Sequence, residues 1–163
     1  MQLNPYLTFD GRCEDAFKFY AKVLGGEIAA MIRHEGTPAE AHVPAEWRKK
    51  IMHARLIVGG EVLMGSDAPP DRYDGGMKGF SVTLSIDKPA EADRVFAALA
   101  DKGNVRMPIQ ETFWAQRFGM VTDQFGTPWM INCEKAQGAK SAAGGGKTAK
   151  KPSAKAKKRA SAG

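Results

Sequence analysis

The sequence predicts an α+β fold made of two copies of one small unit, and two observations carry that prediction. Residues 1–67 read as strand, helix and three strands, and residues 79–134 repeat that order. Each half has one amphipathic stretch at helical spacing, while the runs around it cluster or alternate apolar residues between Gly, Pro and Asp punctuation. A supersecondary unit repeated in one chain gives two half-domains on a common core, and the cleft between such halves is a natural place for a ligand.

The first half opens with a strand over residues 4–9, stopped by Asp10 and Gly11. Cys13, Ala16, Phe17, Tyr20, Val23 and Leu24 then form one helical stripe. Gly25 and Gly26 end that helix, because glycine accepts the left-handed conformation. Residues 27–33 read as a strand, and 34–50 as a polar, proline-bearing connection with one helical turn at 44–49. Strands at 51–58 and 61–67 are joined by the tight turn Gly59-Gly60. Residues 68–78 link the halves, and the second half starts with a strand at 79–86. Asp87 is the expected N-cap of the second helix, and Pro89 sits near its first position, where a missing N–H costs nothing. Ala92, Val95, Phe96, Leu99 and Ala100 make its stripe, with Gly103 as the expected stop. Strands at 105–110, 115–122 and 127–133 complete the repeat, the last two joined by a turn at 123–126.

The net charge of +6 belongs to a tail. Eight of the 24 Lys and Arg lie in residues 136–163, which hold no Asp or Glu, leaving 16 basic against 18 acidic residues in 1–135. That tail has no aromatic or large aliphatic residue, so it cannot offset its ordering entropy and is expected to be disordered. Such a segment is either a solvated appendage or a weak, non-specific, salt-sensitive contact to nucleic acid; without interleaved aromatics it offers no stacking platform. No charged-then-apolar leader pattern opens the chain, and no apolar run approaches the roughly 18 residues of a membrane span. Cys13 and Cys133 are too few and too distant for a disulfide framework or zinc knuckle. The expectation is a reduced, cytoplasmic, soluble protein with no membrane association.

Three segments carry a resemblance: NPYLTFDGRCEDAFKFY, IMHARLIVGGEVLMGSD and FWAQRFGMVTDQFGTPWMINCE, which together span most of residues 3–134. In order and content they resemble the vicinal oxygen chelate superfamily, which includes glyoxalase I, extradiol dioxygenases and bleomycin- or fosfomycin-resistance proteins, and within it the PhnB-like branch. The resemblance implies one domain over 1–135, with modules 1–67 and 79–134 curling their sheets around a shared cavity, and often a homodimer. In metal-using members the ligands come from the first and last strands of each module. The matching positions here are Pro5 (or Asn4), Leu63 (or Met64), Ser81 and Met130. None suits a hard or borderline divalent ion, which wants imidazole or carboxylate; a thioether suits copper(I), but on sequence alone Met130 stands without soft neighbours. The resemblance therefore points to the metal-free binding members, with no metal and no cofactor. Some PhnB-like sequences carry a demethylubiquinone methyltransferase-like label, but no Gly-rich strand-to-helix turn supports an adenosyl cofactor, and no GxGxxG, GxxxxGK[ST] or GxSxG motif occurs.

Alternation places His53, Arg55 and Ile57 opposite the apolar set Met52, Ala54, Leu56 and Val58, so the polar pair faces the cupped interior. His53 can transfer a proton and Arg55 can hold an anionic or carbonyl-bearing ligand. The bland alternative is a solvated strand face, or a histidine satisfied by Asp67. Trp114 and Arg117 offer a flat surface and an anion fork, or else core and dimer contacts, with Gln116 between them; Trp129, followed by Ile131 and Cys133 at period two, reads as core. Ser81 and Thr83 face the cavity from the second module, and Tyr6 and Thr8 hold the corresponding face of the first. His34, Glu35, Glu40, His42 and Glu46 crowd one connection without a helix-face pair and read as solvated loop charge.

The reading is a protein that binds a small organic, anionic ligand without a catalytic metal. Tyr6, Arg55, Ser81, Thr83, Trp114 and Arg117 contact the ligand and His53 is the proton-transfer group. One competitor is a metal-dependent lyase, isomerase or dioxygenase recruiting His53, Asp67 or Glu134. The other is a nucleic-acid-associated protein acting through the tail.

Overall fold

The structure, a computed structural model, describes residues 1–135; the expectations for the basic tail lie outside them. Module 1 runs β1 (Tyr6–Phe9), α1 (Cys13–Leu24), β2 (Glu27–Arg33), β3 (Ile51–Val58) and β4 (Glu61–Asp67). Module 2 runs β5 (Val82–Ser85), α2 (Pro89–Ala100), β6 (Asn104–Gln110), β7 (Ala115–Thr122) and β8 (Pro128–Glu134). The two sheets have the same order, β1-β4-β3-β2 and β5-β8-β7-β6. In each, the first strand lies parallel to the last and the other neighbours are antiparallel. The repeat legible in the sequence is therefore a repeat of topology.

Alternation decides which face of each strand is buried. Ala54 and Leu56 of β3, and Trp129, Ile131 and Cys133 of β8, turn inward, while Arg55, Met130 and Asn132 between them do not. The inward faces pack on the helices into one core that both modules share, from Leu7, Phe9 and Phe17 on one side to Phe96, Leu99 and Val121 on the other. Gly65 exists for this packing: a Cβ there would lie 2.8 Å from the Phe17 ring.

A buried polar network closes the seam between modules. The Tyr20 hydroxyl on α1 donates to Asp123 Oδ2 at 2.7 Å and lies 2.8 Å from Thr127 Oγ1. Trp129 Nε1 donates to the same Oδ2 at 2.8 Å, and the backbone N–H groups of Phe125 and Thr127 donate to Oδ1. Burial, reinforced by the adjacent Asp123, pushes the Tyr20 phenol well above its usual range.

Three local expectations change. Asp87 does not cap α2: Lys88 precedes the helix without a side-chain cap, and Pro89 lowers the number of orphan donors instead. That helix stops at Ala100, with Lys102 at φ 56, and Gly103 is required by crowding, since a Cβ would sit 2.6 Å from the Thr122 carbonyl oxygen. The 34–50 connection contains two 3-10 turns, Pro38–His42 and Ala45–Trp47, rather than one turn at 44–49; Thr37 caps the first by accepting from Ala39 N–H. No helix among the described residues is long and apolar enough to cross a membrane.

Candidate functional site

The outward face of module 1 collects the first group of predicted residues. Met64 of β4 is the register partner of both Tyr6 and Arg55, so Tyr6, Met64 and Arg55 form one row across three strands. His53, two residues before Arg55 on β3, reaches the Tyr6 side chain: Tyr6 Oη lies 3.4 Å from His53 Nδ1, and the rings stack at 5.9 Å with 27° between their planes. Arg55 is exposed and takes part in none of the ion pairs among the described residues. The linker adds groups that sequence reasoning passed over. Tyr73, Arg72, Lys78 and Phe80 line a cleft of about 260 Å³ with Tyr6 and Thr8. For Arg72, Tyr73 and Lys78 the signal was present as basic and aromatic residues inside a segment read only as a connection, and Phe80 lay in the run read as the next strand.

Asp67 does not serve His53. It points to the helix side, is 5% exposed, and accepts 2.8 Å hydrogen bonds from Cys13 N–H at the start of α1 and Ile51 N–H. It thus caps α1, whose preceding residue Arg12 provides no side-chain cap. Burial pushes its carboxyl above the ordinary aspartate range, against the lowering effect of those two donors.

Module 2 splits its predicted residues between two faces. Thr83 is exposed on β5, with its hydroxyl 3.9 Å from Met130 Sδ, and Ser81 lies just ahead of that strand, half-buried. Trp114, 45% exposed, is edge-on to Phe118 at 5.5 Å and to the exposed Phe113 at 4.6 Å, so it belongs to a surface aromatic cluster and not to the core. Trp129, 1% exposed, is core as expected. Arg117 turns toward α2. A β-bulge between Ala115 and Arg117 breaks the alternation and places Arg117 opposite Cys133. There its Nε donates to Asp93 of α2 at 2.9 and 3.1 Å, and its Nη1 to the Gln116 carbonyl. Gln116 itself lines a polar cleft of about 470 Å³ with Ser85, Asn132 and Glu134.

A larger cleft of about 770 Å³ lies at the seam, lined by Pro5, Leu24, Val62, Leu63, Thr83 and Trp129 among others. Of the predicted ligand contacts only Thr83 reaches it; Tyr6, His53 and Arg55 lie on the open face of sheet 1, and Trp114 on module 2. The residues offered to a metal-dependent reading do not converge: Asp67 is tied to the helix side, and Glu134 ends β8 in the other module. No group of three or more His, Cys, Asp and Glu among the described residues could hold a metal ion. In the 34–50 connection, His34 is buried with neither ring nitrogen bonded, while Glu40 accepts from Gly36 N–H and pairs with Arg48.

Comparison with known proteins agrees with this topology. Residues 2–131 match the model of the Glyoxalase/Bleomycin resistance protein/Dioxygenase superfamily. The chain is 40% identical over 145 residues to protein YjdN of Escherichia coli strain K12, covering 84% of this chain and 98% of that one. It is 49% identical to protein PA1353 of Pseudomonas aeruginosa, whose crystal structure superposes with a TM-score of 0.76 over 83% of this chain and 99% of that one. A putative 3-demethylubiquinone-9 3-methyltransferase, PhnB protein, from Bacillus cereus shares the fold with a TM-score of 0.69 at 22% identity, covering 82% of this chain and 99% of that one. The repeated βαβββ topology and the family match over nearly all of the described residues lead to one conclusion: this chain belongs to the glyoxalase/bleomycin resistance protein/dioxygenase superfamily.

Proposed function

We propose that the protein binds a small organic anion on the open face of module 1, without a catalytic metal ion. The observation that carries this reading is an exposed Arg55, outside every ion pair of the described residues, in one row with the Tyr6 that stacks on His53. Arg55 supplies a fork for a carboxylate, phosphate or polarised carbonyl. His53, with one ring nitrogen beside the Tyr6 hydroxyl, is the group equipped to move a proton on such a ligand. The neighbouring cleft adds Lys78, while its other cation, Arg72, pairs with Asp71, and Asp74 also lines the cleft. Thr83, Ser81 and the Trp114–Phe118 pair lie on the other module. In a cytoplasmic homodimer, that surface of a second copy is the natural cover for the module 1 face.

A thermal-shift screen of small carboxylates and organophosphates tests this. A ligand at about one hundred times its Kd adds roughly 2.7 kcal/mol to stability. Arg55→Ala is expected to cut the shift to about half or less, since a tenfold loss of affinity leaves roughly 1.4 kcal/mol; a hit that the variant binds equally well sinks the reading. Stoichiometric zinc, nickel, manganese or iron in the purified protein would favour the metal-dependent alternative. Sedimentation velocity checks the dimer. A second reading rests on the eight cations of residues 136–163. If they contact nucleic acid, truncation after Lys135 removes a DNA affinity that also collapses with salt.

A further inference from the structure

The outward face of module 2 carries a chemical signal that anion binding leaves unused. Met130 of β8 is the register partner of Met120 of β7, and Met120 is the register partner of Met107 of β6, a pairing flanked by a register shift on either side of Met107. Three thioethers therefore stand in one row across three adjacent strands. All three are half-buried, and none belongs to the core cluster, unlike Met31 and Met77, which pack against it. Thr83 of β5 pairs with Met130 and ends the row, its hydroxyl 3.9 Å from the Met130 sulfur.

Directly opposed residues on neighbouring strands hold their Cβ atoms about 4.5–5.5 Å apart. Methionine has three rotatable bonds, two of which place its sulfur, so adjacent sulfurs in such a row can turn to one ion. Thioethers are neutral, soft donors. They have little attraction for magnesium, calcium or zinc and suit copper(I). Cys13 and Cys133 are fully buried on the helix side of the sheets, so no thiol among the described residues competes on this face. The soft neighbours that Met130 lacks in the sequence are supplied by cross-strand register.

We propose that Met107, Met120 and Met130 form a thioether site for a soft monovalent cation, copper(I) in the cell and silver(I) as its redox-inert analogue. The site is separate from the Tyr6–His53–Arg55 face and uses only one of the corner positions, Met130. It involves coordination only, with no electron or proton transferred.

The test uses the full chain labelled with 13C at its methionine methyls, titrated with silver nitrate and followed by NMR. Eight methionines give separate reporters, assigned by single Met→Leu variants. The methyls of Met107, Met120 and Met130 are expected to move together and saturate together, while those of Met31 and Met77 stay in place. Capture by thiols would appear as a lag before the methyls move and would leave their joint response intact. Met130→Leu keeps the apolar volume and removes the sulfur; it is expected to weaken the response of the other two at least tenfold. Circular dichroism verifies that the variant folds. The proposal is overturned if no methyl of the row moves, as a row serving only as adaptable packing would behave. It is equally overturned if one methyl moves alone, or if the Met130→Leu protein leaves the Met107 and Met120 response unchanged.

Discussion

Replacing Tyr20 by Phe takes one oxygen out of the seam between the modules and leaves the ring. The ring contacts survive: it packs edge-on to Trp129 at 5.2 Å and to Phe125 at 6.1 Å. A view in which apolar burial alone holds the seam therefore predicts no loss. The hydrogen-bond view predicts otherwise. Asp123 Oδ2 loses a 2.7 Å donor but keeps Trp129 Nε1, while Thr127 Oγ1, in a residue 0% exposed, loses its 2.8 Å partner. One net hydrogen bond is worth about 1 kcal/mol, and a buried group left unpaired costs about 1–3 kcal/mol more. The expected loss is about 2–4 kcal/mol, or roughly 5–15 °C in melting temperature for a domain of this size. Urea unfolding followed by far-UV circular dichroism reads it as a lower midpoint at unchanged slope. A loss below about 0.5 kcal/mol would refute the reasoning. Thr127→Val supplies the matching cycle: contacting partners should show a coupling of about 0.5–3 kcal/mol, and simple additivity would mean that Tyr20 and Thr127 do not share a bond.

Other perturbations separate the two faces of the sheets. Arg117→Ala breaks a half-exposed ion pair with Asp93, so isothermal calorimetry should find ligand affinity unchanged and denaturation a cost of about 0–1 kcal/mol; Arg55→Ala should do the reverse, losing at least tenfold in anion affinity with stability held within about 0.5 kcal/mol. Gly65→Ala should cost about 1–3 kcal/mol by chemical denaturation, because the new Cβ meets the Phe17 ring at 2.8 Å and the Leu7 carbonyl oxygen at 2.9 Å. Asp67 has its carboxyl raised above the ordinary 3.8 by burial, so in the window between those values the folded state binds more protons than the unfolded one and its contribution to stability falls as pH rises. Asp67→Asn should remove that downward slope, whereas Asp10 and Glu14, lowered mainly by hydrogen bonds from Arg12 and from Lys18 and Arg33, keep their opposite slope at lower pH; identical pH profiles for the two proteins would contradict the assignment.

The two helices and most strands were legible because they depend on periodicity within one segment. The Cys13–Val23 stripe and the alternation around His53 needed no knowledge of what lay elsewhere in the chain. What failed depended on pairing. The pairing of Arg117 with Asp93 could not be read from the sequence, because a bulge shifts the register of β7 against β8 and strict alternation has no means of marking it. Asp67 was offered to His53 as a nearby carboxylate, but alternation carried to the end of β4 puts Asp67 on the buried side with Leu63 and Gly65. The first strand was expected to hold Tyr6 on the same face as His53, and it does. Their contact, 47 residues apart in sequence, needs the parallel pairing of β1 with β4 and could not be counted along either strand. The three methionines follow the same rule: each is unremarkable alone, and only register aligns them.

The buried and outward faces divide the polar groups by spare bonding capacity. The seam and cap carboxyls, Asp123 and Asp67, meet donors from the chain itself: four for Asp123 and two for Asp67. Such groups specify how the modules and helices meet, and a ligand would have to displace a native bond to reach them. Arg117 falls into the same class through Asp93. Arg55, His53, Thr83 and Met130 lie on the other side of the same strands, with at most a long contact of 3.4–3.9 Å between neighbours. Binding there costs the chain little of its own bonding. The corner positions of Pro5, Leu63, Ser81 and Met130 offer a hard ion neither imidazole nor carboxylate. The groups with spare capacity lie on the open faces: a guanidinium and imidazole on one module, thioethers and exposed aromatics on the other.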